Sequence, residues 1–299
     1  MTGFLDGFKV GHHTDEVNRT GCTVVLPPPG NVTSVDVRGS SPASRELILL
    51  DLERKLTEVH AVVLTGGSAF GLAAADGVVG WLAERDVGYD TMVARVPIVP
   101  AAVIFDLGSG NPDVRPGPHE GRAACDAATF SNIATGAVGA GTGATVGKWA
   151  GREDAVRGGL GIGRAEAGGM TVAALAVVNA VGDVVDADGR SIAGSSFDER
   201  QPRAPRAPGA DDAGPVNTVL ALVATHAHLD KREVKWLAGR GSDGVTTSVR
   251  PAHTRYDGDV CIAVAAPPRK EAVETNLDLL GVLATQAVAA AVRDAVRSR

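Results

Sequence analysis

Val216-Asn217-Thr218-Val219-Leu220-Ala221-Leu222-Val223-Ala224-Thr225 joins two unlike kinds of sequence within a few residues. Upstream, from Asp188 to Gly214, the chain is made of Pro, Arg, Asp, Ser and Ala, with Pro202, Pro205 and Pro208 inside it and Pro215 just beyond. Such a composition buries little apolar surface, so residues 188–217 read as a flexible linker. Downstream, Thr218 to Thr225 is an apolar, β-branched run of strand length. The junction therefore places a threonine on the first residue of a strand, directly after a linker.

That placement has a chemical reading. A threonine hydroxyl held against its own preceding carbonyl can attack it through a five-membered ring, and water can split the resulting ester, cutting Asn217 from Thr218. The freed α-amine has a reference pKa of about 7.7–8.0, near enough to neutrality to take the adjacent hydroxyl's proton. One residue then supplies nucleophile and base. The plainer reading is an ordinary β-branched strand residue after a surface loop.

Working outward, Asp230-Lys231-Arg232-Glu233 is a capping box that opens a helix toward Val249. Asp257-Gly258-Asp259 forms a turn before a strand from Val260 to Ala265, and Thr275 to Arg299 closes the chain as an alanine-rich helix. Toward the N-terminus, Gly158 to Val185 supplies two or three apolar strands, Gly136 to Gly147 is a glycine-rich loop, and Val96 to Phe105 is extended. Earlier still, Val17–Leu26 and Val32–Val37 read as strands about a Pro27-Pro28-Pro29-Gly30 turn, and Glu46–Glu58 as helix-like. Ala61–Thr65 is a short strand running into Gly66-Gly67-Ser68, with Ser68 capping a buried helix. Strands alternating with helices, then a β-α-β-α unit, predict an α/β layered sandwich.

The bulk numbers bound the partners. At 299 residues with 44% hydrophobic content the chain can build a large core, and we expect a single domain. Lys and Arg number 29 against 35 Asp and Glu, a net charge of −6, which predicts no nucleic acid and no membrane surface as partner. Cys22, Cys125 and Cys261 show neither disulfide nor zinc spacing, and no signal-like start precedes them; a cytoplasmic location is expected. The longest uncharged run, Ala167–Gly182, is interrupted by glycines and Asn179 and falls short of a membrane span.

Four stretches then narrow the reading: Asn31-Val-Thr-Ser-Val-Asp-Val-Arg-Gly39, Leu64-Thr-Gly-Gly-Ser-Ala-Phe-Gly-Leu72, Val96-Pro-Ile-Val-Pro100 and Gly139-Ala-Gly-Thr-Gly-Ala-Thr-Val-Gly-Lys148. Together, and in this order, they resemble the L-aminopeptidase/D-esterase family, which includes the β-peptidyl aminopeptidases and the nylon-oligomer hydrolases. The resemblance runs from about residue 10 to the C-terminus. It implies an αββα four-layer sandwich like that of the N-terminal-nucleophile hydrolases, autocleavage into residues 1–217 and 218–299, and a homo-oligomer, a tetramer by resemblance. It implies hydrolysis of amide or ester bonds in small or short peptide-like substrates, with no cofactor and no metal. Aminopeptidase members commonly carry Ser at the cut, whereas Thr218 matches the nylon-oligomer type and argues against carrying β-peptide specificity over. L-aminoacyl amides, β-peptides, D-amino acid esters and linear amide oligomers all stay open as substrates.

The resemblance also assigns roles. Asp257 and Asp259 fall where the family places two polar or acidic residues on the nucleophile, although Asp-Gly is also simply a strong turn former. Asn179 is an amide in an apolar strand, where leaving it unpaired would cost about 1–3 kcal/mol. Its implied task is donating an N–H to the oxyanion, against the alternative of a structural hydrogen bond. Lys148 is placed near Thr218, where its charge would favour the neutral amine; the alternative is a solvated lysine.

Rival readings rest on single features. The glycine-rich loop before Lys148 lacks the glycine and the Ser or Thr of a phosphate loop. Ser68 resembles a serine-hydrolase elbow, but the second glycine is one position late. His226 and His228, read as sharing a strand face, lack further ligands for a metal. A non-catalytic scaffold or ligand-binding member of the same fold is the alternative from another class.

Overall fold

The computed structural model describes residues 3–149, 151, 154–194, 217–268 and 275–297. Two five-stranded sheets lie face to face between two pairs of helices. The first sheet runs, in spatial order, Lys9–Asp15, Thr20–Leu26, Val62–Thr65, Ala101–Val103 and Ser44–Arg45. The second runs Gly159–Ala167, Met170–Asn179, Thr218–Thr225, Val260–Ala265 and Val32–Val37. Helices α1 (Ala74–Ala83) and α2 (Pro118–Asp126) cover the first sheet, and α3 (Lys231–Thr246) and α4 (Leu277–Arg297) the second.

Strand periodicity explains why the inner strands are apolar throughout. Along Thr218–Thr225, Val219, Ala221 and Val223 face α3 and α4, while Leu220, Leu222 and Ala224 face the other sheet. The neighbouring strand splits alike, Val172, Ala174, Ala176 and Val178 outward and Ala173, Leu175 and Val177 inward. Strands covered on both faces need hydrophobic side chains at every position, so the usual polar alternation disappears. The first sheet repeats this, with Cys22, Val24 and Val63 against α1 and α2 and Val25, Val62 and Leu64 in the inter-sheet layer. The result is the αββα four-layer sandwich.

Helix α4 has the length and hydropathy of a membrane span, yet 61% of its most apolar window is buried within the protein. It can lie flat on the second sheet because Gly159, Gly161 and Gly163 alternate along one strand. A Cβ at these positions would come within 2.5 Å of Ala295 O, 2.1 Å of Ala291 O and 2.1 Å of Ala287 O. Glycine beneath alanine at helical spacing brings the backbones into contact.

Several expectations need correcting. Glu46–Glu58 is not a helix: Glu46 is left-handed at φ 58°, and only Leu47–Leu50 forms a single 3-10 turn. The carbonyls of Leu49, Arg54 and Leu56 converge instead on the Lys231 ammonium at 2.7–3.2 Å, a tertiary contact that overrides local propensity. Ser68 does not cap a helix; it sits at φ 54°, its segment begins as a 3-10 turn, and Asp106 Oδ1 accepts the Gly67 N–H at 2.7 Å in place of a cap. His226 and His228 share no strand face, because the strand ends at Thr225. His226 meets the carbonyls of Pro267 and Asp6, and no group of three or more metal-binding side chains occurs among the described residues.

The composition change at Asp188 begins in ordered chain, since Ser191–Ala193 is a strand paired with Asp183–Val185. Residues 195–216, the bulk of the expected linker, lie outside the described residues.

Candidate active site

Thr218 opens the central strand of the second sheet and is only 6% exposed. On one side it pairs directly with Asn179, the last residue of the adjacent antiparallel strand. On the other, Asn217 bridges Asp257, and the Gly258 N–H donates to the Asn217 carbonyl at 2.9 Å. The Thr218 hydroxyl donates to that same carbonyl oxygen in a very short contact. The carbonyl ahead of Thr218 is thus approached by a hydroxyl and polarised by a backbone amide at once.

The turn Asp257-Gly258-Asp259 is built around this point. Asp259 Oδ1 accepts the Val219 N–H at 2.6 Å, fixing the peptide that follows Thr218. Asp257 Oδ1 accepts from Val181 N at 3.3 Å, and its Oδ2 accepts from the Thr254 amide at 3.0 Å and hydroxyl at 2.6 Å. Gly258 has no room for a side chain: a Cβ would sit 2.6 Å from Ser41 O and 2.9 Å from Thr218 Oγ1. Burial first, and then the nearby charge of Asp259, push the Asp257 carboxyl up to about 6.

Asn179 is 1% exposed and held at both ends of its amide. Its Oδ1 accepts from Thr145 N at 3.0 Å and Lys148 Nζ at 3.0 Å, and its Nδ2 donates to Phe105 O at 3.1 Å. Three donors and acceptors of fixed identity set the amide's orientation. Lys148 is held there by its backbone, which bonds Val181 O at 2.8 Å, while Gly147 N bonds Gly182 O at 2.9 Å. The glycine-rich loop is therefore a clamp that delivers an ammonium to Asn179. All six residues singled out at the junction and its surroundings, Asn217, Thr218, Asn179, Lys148, Asp257 and Asp259, come together in one network.

Sequence reasoning missed two members. Gly258 contributes through its amide alone, which no side-chain pattern reveals. His253, left-handed at φ 53°, places Nδ1 2.8 Å from Asp259 Oδ2 and Nε2 3.2 Å from the Ser242 carbonyl of α3. Both ring nitrogens face acceptors, and only the imidazolium has two N–H donors. Burial alone would lower its pKa, but the hydrogen bond and charge of Asp259 outweigh burial and the nearby Arg38, and the pKa is raised. A histidine six residues ahead of Asp259 was visible in the sequence; its ring direction was not.

A small cavity of about 280 Å³ adjoins the network, lined by Arg19, Phe105, Gly108, Ser109, Thr145, Lys148 and Ala155. Its wall shares Thr145, Lys148 and Phe105 with the Asn179 contacts, so it opens beside Asn179.

This architecture resembles the fold of the N-terminal-nucleophile hydrolases. The L-aminopeptidase D-Ala-esterase/amidase of Ochrobactrum anthropi, described as a variant of that fold, superposes with a TM-score of 0.74 at 20% identity, over 99% of this chain and 86% of that one. A Burkholderia β-aminopeptidase superposes with a TM-score of 0.73 at 21% identity, over 98% and 85%. Residues 5–298 match the peptidase family S58 model, and the chain belongs to that family. An uncharacterized aminopeptidase of Mycobacterium leprae is 40% identical over 285 residues, 87% of this chain and 77% of that protein. A 6-aminohexanoate-oligomer endohydrolase of an Agromyces species is 30% identical over 271 residues, 86% and 72%. The protein is a hydrolase acting on amide bonds.

Proposed function

We propose that Thr218 is the working nucleophile, generated when the chain cuts itself between Asn217 and Thr218 into residues 1–217 and 218–299. The observation that carries this is the hydroxyl of Thr218 against a carbonyl that the Gly258 N–H also grips at 2.9 Å. Attack of Oγ1 on the Asn217 carbonyl carbon forms a five-membered adduct whose oxyanion stays on the Gly258 amide. The C–N bond breaks, nitrogen takes a proton, and water hydrolyses the ester, leaving an Asn217 carboxylate and a Thr218 α-amine.

In turnover the freed amine takes the hydroxyl proton as Oγ1 attacks a substrate amide, then delivers it to the departing amine. Water, deprotonated by the same amine, releases the acid from the acyl-enzyme. Asn179 stabilises the substrate oxyanion through its amide, which Lys148 polarises from the Oδ1 side. Asp259 aligns the nucleophile through Val219 N, and His253 holds Asp259 in place as a positioning residue. Asp257, its carboxyl pushed up to about 6, balances the new ammonium in its carboxylate form. The substrates are small aminoacyl amides or linear amide oligomers, in keeping with the names of the relatives. A homo-oligomer fits the apolar hairpin tip, where Met92 and Val93 are 97% and 92% exposed, and a cytoplasmic setting fits three free, buried cysteines.

Turnover of aminoacyl amides and amide oligomers tests the reading. Thr218→Ala should abolish it, a loss on the order of 10⁴-fold or more, while Ser68→Ala stays within about twofold. Activity surviving Thr218→Ala would reject the assignment.

A further inference from the structure

We propose that Arg19 and Lys148 form a carboxylate subsite, so that the preferred substrates are short amides whose leaving group carries a free carboxylate. This rests on Thr218 being the nucleophile and names what the cavity beside Asn179, its strand partner, takes.

The cavity is small and one-signed. Of its lining residues two are cations and none is acidic, among the described residues. The chain as a whole carries an excess of acidic groups, so this is a local reversal. Lys148 Nζ has a task on Asn179 Oδ1 at 3.0 Å. Arg19 has no comparable one among the described residues: its Nε is buried without a hydrogen-bond partner there, and a buried guanidinium nitrogen left unsatisfied costs free energy unless a ligand completes it.

The backbone that presents Arg19 is fixed. It is left-handed at φ 53°, a conformation that non-glycine residues hold only under constraint. The constraint is packing, since a Cβ on Gly143 would lie 2.1 Å from Arg19 O and one on Gly110 would lie 2.0 Å from Asn18 O. Ser109 ties the two loops together by donating to Gly143 O at 2.6 Å. The next residue is pinned as well, because Thr20 Oγ1 donates to Asp106 Oδ2 at 2.8 Å. A guanidinium presented from so fixed a backbone pairs well with a planar carboxylate.

Charge then assigns the side of the scissile bond. A protonated amine on the acyl half of an aminoacyl amide would be repelled by two cations, so the cavity suits the other half. That half, once released, is an amino acid or amino-carboxylic acid.

The test compares kcat/KM for a dipeptide with a free C-terminal carboxylate and for the same dipeptide amidated at that end. The mature enzyme should favour the free acid by about tenfold or more, the scale of one oriented ion pair. Arg19→Gln, and Arg19→Asn as the variant that best tolerates the left-handed backbone, should bring the ratio to about one. Arg19→Lys should keep part of it. Equal or better turnover of the amidated substrate by the unaltered enzyme, or an unchanged ratio in both neutral variants, overturns the subsite. Turnover of both substrates by an uncut chain would instead count against the nucleophile itself.

Discussion

Two turns in this molecule look alike on paper, Thr65-Gly66-Gly67-Ser68 at the end of a first-sheet strand and Asn217-Thr218-Val219 at the start of a second-sheet strand. Each sets a hydroxyl residue beside a strand terminus, and each has a carboxylate gripping a backbone amide: Asp106 on Gly67 N at 2.7 Å, Asp259 on Val219 N at 2.6 Å. They differ in where the hydroxyls go. At the first turn Asp106 is occupied by the Thr20 hydroxyl, and it braces a left-handed glycine ahead of a helical segment. At the second the Thr218 hydroxyl lies on a carbonyl that another amide already polarises. A hydroxyl near an acid is a common structural device; a hydroxyl on an activated carbonyl is a reaction waiting for its proton transfers.

The largest effect that would separate the turns comes from their glycines. Gly258→Ala drives a methyl group against Ser41 O and Thr218 Oγ1, so self-cleavage should slow by on the order of 10²–10³-fold, read from the full-length band on a denaturing gel over time. Gly67→Ala, at φ 82°, should lower stability by about 1 kcal/mol and leave processing intact. Equal processing defects in both would erase the distinction.

A smaller effect should follow from His253→Asn, which tolerates the left-handed backbone and keeps a donor but removes the charge. Turnover should fall by about tenfold with KM little changed. The pH profile carries the sign. The pKa of His253 is raised above its ordinary 6.5, so the ion pair with Asp259 is complete below that value and is lost as pH rises through the raised one. The native enzyme should lose activity on that alkaline side, whereas the variant should lack this limb and simply rise as the Thr218 amine deprotonates. An identical profile in both would remove His253 from the account.

The smallest catalytic effect belongs to the first turn. Asp106→Asn should cost about 1–3 kcal/mol of stability by denaturant titration, because the Gly67 amide and Thr20 hydroxyl lose a charged acceptor. Processing should change by less than about threefold.

The fold was legible where local pattern and tertiary demand agree. Val32–Val37, Thr218–Thr225 and Val260–Ala265 fall where the apolar runs place them, and α3 begins at its Asp230 capping box, with Asp230 Oδ1 on Glu233 N at 2.9 Å. It was illegible where distant groups decide. The Lys231 ammonium unwinds residues 46–58 into a carbonyl cradle, and Lys9–Asp15 and α2 carry too little periodicity to announce themselves. The site divides in the same way. Thr218 stands out because composition breaks there, and Asn179 because an amide interrupts an apolar strand. The Gly258 amide and the rings and forks of His253 and Arg19 act through direction in space, which spacing along the chain does not encode.

Mass spectrometry of the purified, active protein tests the central claim most directly. Two polypeptides are expected, one ending at Asn217 and the other beginning with a free amine on Thr218. Full turnover by an unbroken chain, or a new terminus at any other residue, would contradict it.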